Sequence, residues 1–73
     1  MDEPYERLAN AIIMQAVRDY RTALKAVRMN PRNKAAQSDK DEIERFFRSP
    51  WHQALTAVDG EMLIRKLNEE VKS

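Results

Sequence analysis

Apolar side chains recur through the first third of the chain with the period of an α-helix. When each residue advances by about 100° around the axis, the apolar positions from Tyr5 to Val27 fall within about half of the circumference. These positions are Tyr5, Leu8, Ala9, Ile12, Ile13, Ala16, Val17, Tyr20, Ala23, Leu24 and Val27. The pattern predicts a helix over about 4–29, and its wide apolar arc indicates contact with more than one other element.

Prolines set the ends of the first two predicted helices. Pro4 suits the first turn of the first helix. That helix should end before Asn30-Pro31, because the residue that precedes a proline avoids the helical region. Asn30 then caps a second predicted helix over about 31–48, with Lys34 as an alternative first residue. The apolar residues at the end of this helix are Ile43, Phe46 and Phe47, at i, i+3, i+4 spacing.

The second half of the chain repeats the capping pattern twice. Ser49 precedes Pro50 as an N-cap and predicts a short third helix over about 50–57. Asp59 and Gly60 end that helix, and Asp59 then caps a fourth helix over about 60–72. The core face of the fourth helix consists of Leu63, Ile64, Leu67 and Val71.

These elements predict an all-α fold, a small helical bundle of three to four helices in a single domain over residues 1–73. The long N-terminal helix is its spine, and the second helix returns antiparallel to it. The aromatic residues expected in the core are Tyr5, Tyr20, Phe46, Phe47 and Trp51. In a domain with about 5 kcal/mol of stability, Trp51→Ala or Phe47→Ala should unfold much of the protein.

Two polar features are expected at the surface. The stretch from Gln37 to Glu44 is dominated by acidic residues and predicts an exposed, frayed middle of the second helix. The apolar stripe of the third helix consists of Trp51, Ala54, Leu55 and Val58, at i, i+3, i+4, i+7 spacing. His52 lies at the edge of this stripe, and no recognisable motif places a serine or cysteine beside it. We therefore expect a partly exposed surface histidine without a catalytic role.

The composition excludes several kinds of site. A chain of 73 residues buries only about 60% of the surface that its unfolded form exposes, so a large active-site cavity is not expected. Cysteine is absent, and there is one histidine and one glycine. A disulfide framework, a thiolate nucleophile, a metal cluster and a Gly-rich phosphate loop are thereby disfavoured. We expect no catalytic residues, no metal and no cofactor.

The sequence predicts neither a membrane span nor a secretory signal. The longest apolar run near the N-terminus, from Ala11 to Met14, is far shorter than a membrane-spanning helix. The first residues are acidic, where a signal peptide begins with basic ones. We expect a cytoplasmic protein that does not contact a membrane.

A basic stripe lies opposite the apolar arc of the first predicted helix, although the net charge is only +1. Its five cations fall within about 80° of one another at the helical period, with Met14 in their middle. The stripe consists of Arg7, Arg18, Arg21, Lys25 and Arg28. Such a face is either ordinary solvated surface or a docking surface for phosphates or an acidic protein.

Two familiar helical motifs fit the chain poorly. The third and fourth helices can be read as a helix-turn-helix, but three basic and three acidic residues cancel on the would-be recognition helix. The segment from Tyr20 to Ala36 resembles one tetratricopeptide hairpin. Such repeats need at least about three copies for stability, so an unrelated helical hairpin is favoured.

Three stretches of the chain together resemble a known group of proteins. They are Leu8-Ala9-Asn10-Ala11-Ile12-Ile13 with Gln15-Ala16-Val17 and Asp19-Tyr20-Arg21; Glu44-Arg45-Phe46-Phe47-Arg48-Ser49 with Trp51; and Leu55-Thr56-Ala57-Val58-Asp59-Gly60 with Leu63-Ile64. The combination resembles small uncharacterised proteins carried by phages, prophages and other mobile elements of Gram-positive bacteria. The resemblance implies no activity, catalytic residue or cofactor, but small phage proteins often act by binding a host or phage macromolecule.

The first hypothesis is therefore an interaction protein that acts by stoichiometric binding to a protein or nucleoprotein partner. Inhibition of a host defence system, in the manner of anti-CRISPR proteins, is a special case. The partner-binding residues expected are Arg7, Met14, Arg18, Arg21, Lys25 and Arg28. The alternatives are a nucleic-acid-binding accessory protein that uses the same stripe, and a self-associating protein whose copies pair through the first helix as a homodimer.

Overall fold

A computed structural model describes residues 4–72 of the chain, with side chains described from Glu6 onward. This part folds into four helices, which we label α1 (Pro4–Met29), α2 (Lys34–Phe47), α3 (Pro50–Leu55) and α4 (Gly60–Lys72). The predicted all-α fold with a long first helix is confirmed. The bounds of α1 and α4 agree with those predicted, whereas α2 and α3 are shorter.

The turn between α1 and α2 is longer than predicted because a different asparagine caps α2. The side chain of Asn33 accepts a hydrogen bond from the backbone N–H of Ala36 at 3.1 Å, so α2 starts at Lys34. Asn30 instead accepts from the backbone N–H of Arg32 and closes the preceding turn. The prediction that Asn30 caps a helix from Pro31 was wrong, and the alternative start at Lys34 is the observed one.

The caps of α3 and α4 lie where they were predicted, but α3 ends earlier. Ser49 Oγ accepts from the backbone N–H of His52 at 3.2 Å, and Pro50 is the first helical residue. Thr56 then adopts an extended conformation with φ −155° and ψ 153°, which ends α3 at Leu55 rather than at the predicted residue 57. Asp59 Oδ1 accepts from the backbone N–H of Glu61 at the start of α4.

The core lies where α1, α2 and α4 meet. It consists of Tyr20, Leu24, Phe47, Ile64 and Leu67. The rings of Tyr20 and Phe47 pack edge to face with their centroids 5.7 Å apart. Because α1 contacts all three other helices, it is the spine of the described bundle. Tyr5, which was also expected in this core, lies outside the described side chains.

Trp51 and His52 exchange the places that the sequence predicted for them. Trp51 is 62% exposed, whereas His52 is fully buried. Consecutive residues on a helix point about 100° apart, so the rotation of α3 about its axis decides which of the two enters the core. The imidazole ring packs edge to face against Phe46 and Phe47, at centroid distances of 5.6 and 5.5 Å.

A hydrogen bond also holds the buried imidazole ring in place. His52 Nε2 donates to the carbonyl oxygen of Val58, 3.0 Å away in the α3–α4 loop. The other ring nitrogen, Nδ1, is buried without a partner among the described residues. The expectation of a surface histidine was therefore wrong, because His52 joins the α3–α4 loop to the aromatic residues of α2.

Gly60 permits the close approach of α4 to the end of α2. A Cβ atom at this position would lie 1.9 Å from the carbonyl oxygen of Phe47 and 2.8 Å from its carbonyl carbon. Backbone atoms cannot move away as the end of a flexible side chain can. The only glycine of the chain therefore stands where any side chain would separate α4 from α2.

We expect Phe47→Ala and Trp51→Ala to differ sharply in stability, contrary to the sequence-based expectation that both unfold the protein. Phe47 is 1% exposed, and its truncation should lower the free energy of unfolding by about 3–5 kcal/mol. Trp51→Ala should cost less than about 1 kcal/mol, since most of the ring already contacts water. Urea denaturation followed by circular dichroism measures both, and equal losses would contradict the observed burial.

We expect Gly60→Ala to destabilise the protein by about 1–3 kcal/mol, because the new methyl group collides with the carbonyl of Phe47. At an unconstrained helical position the same change raises stability, since alanine is the better helix former. Thermal melting distinguishes the two cases. A rise in Tm would show that α4 does not approach Phe47 this closely.

Candidate functional site

A buried polar network joins three helices around the hydroxyl group of Tyr20. This hydroxyl donates a hydrogen bond of 2.6 Å to Glu44 Oε2 on α2. It accepts one of 2.9 Å from Asn68 Nδ2 on α4. Asn68 also donates to the carbonyl oxygen of Ile64 within its own helix. Since Tyr20 is fully buried, its hydroxyl group depends on these partners in place of water.

Lys40 and Arg48 balance the negative charge of Glu44. Lys40 Nζ lies 2.8 Å from Glu44 Oε2, and Arg48 Nη1 lies 3.7 Å from Glu44 Oε1. Arg48 also pairs with Glu61 on α4. The side chain of Glu44 is only 15% exposed, so the prediction that the acidic stretch is exposed up to Glu44 was wrong. The i, i+4 spacing of the two cations from Glu44 was the signal in the sequence.

The network shifts the pKa values of its two acids in opposite directions. Burial raises the pKa of Tyr20, and its hydrogen bond to Glu44 raises it further. Burial would also raise the pKa of Glu44, but hydrogen bonds from Lys40 and Tyr20 outweigh it and hold that pKa below its ordinary value of 4.5. Tyr20 therefore stays protonated and Glu44 charged, and the hydrogen bonds between them and Asn68 join α1, α2 and α4.

The structure divides the predicted basic stripe into two parts, the first of which lies against α4. The guanidinium group of Arg21 binds the carboxylate of Glu70 with both Nε and Nη2, at 2.6 and 3.2 Å. Arg28 Nη1 donates to the carbonyl oxygen of Val71 at 3.1 Å. The hydrogen bond from Arg21 lowers the pKa of Glu70, and the charges of Arg21 and Lys25 act in the same direction.

The second part of the stripe faces solvent. Met14 is 54% exposed, and Arg18 and Lys25 are exposed on the same side of α1. We call Met14, Arg18 and Lys25 the outer basic surface. Arg7 is exposed near them but already interacts with another group. Of the six predicted partner-binding residues, these three therefore remain together as an accessible set.

An apolar groove that the sequence analysis did not predict lies between α1 and α2, beside α3. Its apolar lining consists of Ala11, Ile12, Ala16, Ile43, Phe46 and Trp51. We call it the Trp51 groove; its volume is about 510 Å³. The groove was missed because Trp51 was predicted to be a core residue. The same apolar spacing fits a buried ring and a ring at the edge of a groove.

The described residues show neither a metal site nor a membrane-spanning helix. Among them, no three histidine or acidic side chains are grouped so that they could hold a metal ion. None of the helices in residues 4–72 combines the length and the apolar character that crossing a bilayer requires. Comparisons with protein-family models, with curated proteins and with solved structures found no match.

We expect Glu44→Gln to lower the free energy of unfolding at pH 7 by about 1–2 kcal/mol, with little difference from the wild type once the pH lies below the folded pKa of Glu44. The pKa of Glu44 is lowered by folding. Its charge therefore stabilises the folded protein above the pKa of the unfolded chain, and this contribution is lost as the pH falls through the folded pKa. Urea titrations at both pH values measure the difference.

The exposed neighbour Glu42 supplies the control for that measurement. Glu42→Gln removes the same charge from the same helix, but Glu42 forms no ion pair among the described residues. Its effect should stay within about 0.5 kcal/mol at both pH values. An equal effect of the two substitutions would mean that the network around Tyr20 does not stabilise the bundle.

Proposed function

We propose that the protein acts by stoichiometric binding to an acidic protein or nucleoprotein partner through the outer basic surface. The observation that supports this is the exposure of Met14 between cations. A methionine that is 54% exposed lies in the same stripe as Arg18 and Lys25, on the side of α1 turned away from the core. Apolar contact and positive charge are thus available on one helix face.

The chemistry of these side chains suits an acidic surface. The guanidinium group of Arg18 can bind a carboxylate or a phosphate with two parallel hydrogen bonds. Met14 has a flexible, polarisable side chain that adapts to irregular apolar contacts. Lys25 adds a charge that strengthens the encounter without fixing its geometry. Together they favour recognition of a macromolecular surface over binding of a small molecule in an enclosed cavity.

The resemblance to small phage and mobile-element proteins supports one form of this function. In that form the protein works in the cytoplasm as an inhibitor, and occupies a surface of a host defence system as anti-CRISPR proteins do. No reaction, metal or cofactor takes part. Its effect then depends on affinity and on the ratio of the two proteins.

Direct binding to nucleic acid predicts a specific salt dependence. Two of the five cations of the stripe are engaged with α4, which leaves about two or three for phosphates. Each phosphate contact on duplex DNA contributes about −0.9 to the slope of log K against log salt, so a slope of only about −2 to −3 is expected. A steeper slope would require other cations of the protein.

We expect Arg18→Glu with Lys25→Glu to abolish partner binding while the helical content stays unchanged. Both side chains are exposed, and Lys25 acts on α4 only through its charge, which is the smallest of the causes that shift the pKa of Glu70. Arg21 is left unchanged, since its reversal would also break the contact with Glu70 and confound folding with binding. Affinity capture from a bacterial lysate, followed by titration of the captured partner, measures the effect.

The matched control reverses two exposed cations of α4. Arg65→Glu with Lys66→Glu changes the net charge by the same amount and leaves α1 untouched. This variant should retain most of the affinity. If both variants lose binding equally, net charge is responsible; if neither loses it, the outer basic surface is not the binding site.

A further inference from the structure

The Trp51 groove exposes aromatic surface that none of the side chains from Glu6 to Lys72 covers. Trp51 is 62% exposed. It packs edge to face on Phe46, with ring centroids 6.2 Å apart. On the opposite side of the groove, Ala11 and Ala16 of α1 have side chains too small to fill the space. Trp51 is thus held by Phe46 on one side and faces an open groove on the other. Aromatic side chains placed in this way are often the residues that dominate the binding energy at interfaces.

The groove continues along α1 and α2 as a second recess. The two recesses share Asp19, Glu42 and Ile43, and the second extends to Asn33 at the start of α2. Along α1 they reach from Ala11 to Ala26. At 1.5 Å per residue this is about 22 Å, or about four turns of a helix lying alongside.

The walls of this elongated groove carry only one sign of charge. Asp19, Asp39 and Glu42 line it, and no lysine or arginine of the described chain does. Among the described residues, the three carboxylates form no ion pair, and Asp19 has a hydrogen bond only from Gln15. An occupant with positive charge would therefore gain attraction without first having to displace a cation of the protein.

We propose that the Trp51 groove binds an amphipathic, basic helix of a partner protein. Its apolar side chains pack on Trp51 and Phe46, and its lysine and arginine side chains face Asp19 and Glu42. A helix fits because its own backbone groups are already paired, so it can enter an apolar groove with side chains alone. The carboxylates repel nucleic acid. The centre of the groove lies about 100° around α1 from the centre of the outer basic surface, and Arg18 lies at the border between the two.

A synthetic peptide tests the groove directly, because Trp51 is the only tryptophan of the chain. The probe is a 14-residue helix of leucine and lysine (about four turns), with the leucines on one face. Its addition should shift the Trp51 emission to shorter wavelength and saturate at one peptide per protein. A peptide with glutamate in place of lysine, and one with the leucines scattered around the helix, should give no saturable shift. Equal binding of either control would overturn the proposal.

Two neighbouring substitutions on α2 distinguish peptide binding in the groove from a response to the net charge of the protein. Glu42→Lys places a cation in the groove wall, whereas Asp41→Lys makes the same type of change at an exposed position outside it. Glu42→Lys should lower the affinity for the peptide at least about fivefold, and Asp41→Lys less than about twofold. Equal effects would mean that the peptide responds only to net charge.

The aromatic contribution is measured with a labelled peptide and Trp51→Ala. The affinity should fall at least about tenfold by fluorescence anisotropy, with unchanged circular dichroism. Undiminished affinity would overturn the role of Trp51.

Light scattering without peptide tests whether a second copy of this protein occupies the groove instead. If the copies associate and their Trp51 emission shifts with concentration, the groove belongs to a self-association interface and the proposal fails.

Discussion

The hydroxyl group of Tyr20 is the point at which the three longer helices of this small bundle are joined. Tyr20 belongs to α1 and is buried against α2 and α4. A hydroxyl group left without a hydrogen bond there would cost about 1–3 kcal/mol, a large share of the stability of a domain this size. It is satisfied by Glu44 of α2 and Asn68 of α4 together. The positions of α2 and α4 along α1 are therefore coupled to one polar atom, around which the apolar core closes.

The placement of α4 also determines which cations of α1 remain accessible. With Asn68 beside Tyr20, the end of α4 lies along α1, where Glu70 meets Arg21 and the carbonyl of Val71 meets Arg28. The cations nearest the core are used in this contact, whereas Arg18 and Lys25 stay on the outer side. The basic surface is thus smaller than the charge pattern of α1 implies.

The packing of α3, in contrast, leaves more apolar surface exposed than the sequence predicts. Because His52 packs into the core against Phe46 and Phe47, Trp51 is directed outward to the edge of the groove between α1 and α2. One polar side chain occupies a core position, and one large apolar side chain is displaced to the surface. The result is a protein with a cationic face and, elsewhere on α1, an apolar groove bounded by carboxylates.

The sequence by itself determined the helices, because helical periodicity, proline positions and capping residues act over a few neighbouring residues. It correctly indicated α1, the caps Ser49 and Asp59, and the burial of Tyr20 and Phe47. Only the tertiary structure decided which side of α3 faces the core, because the apolar spacing favoured Trp51 whereas the packed structure buries His52. The tertiary structure also decided which cations of α1 pair with α4, since Arg21 and Glu70 are 49 residues apart in the chain. Contacts between helices depend on where each helix is placed, and local pattern does not encode that placement.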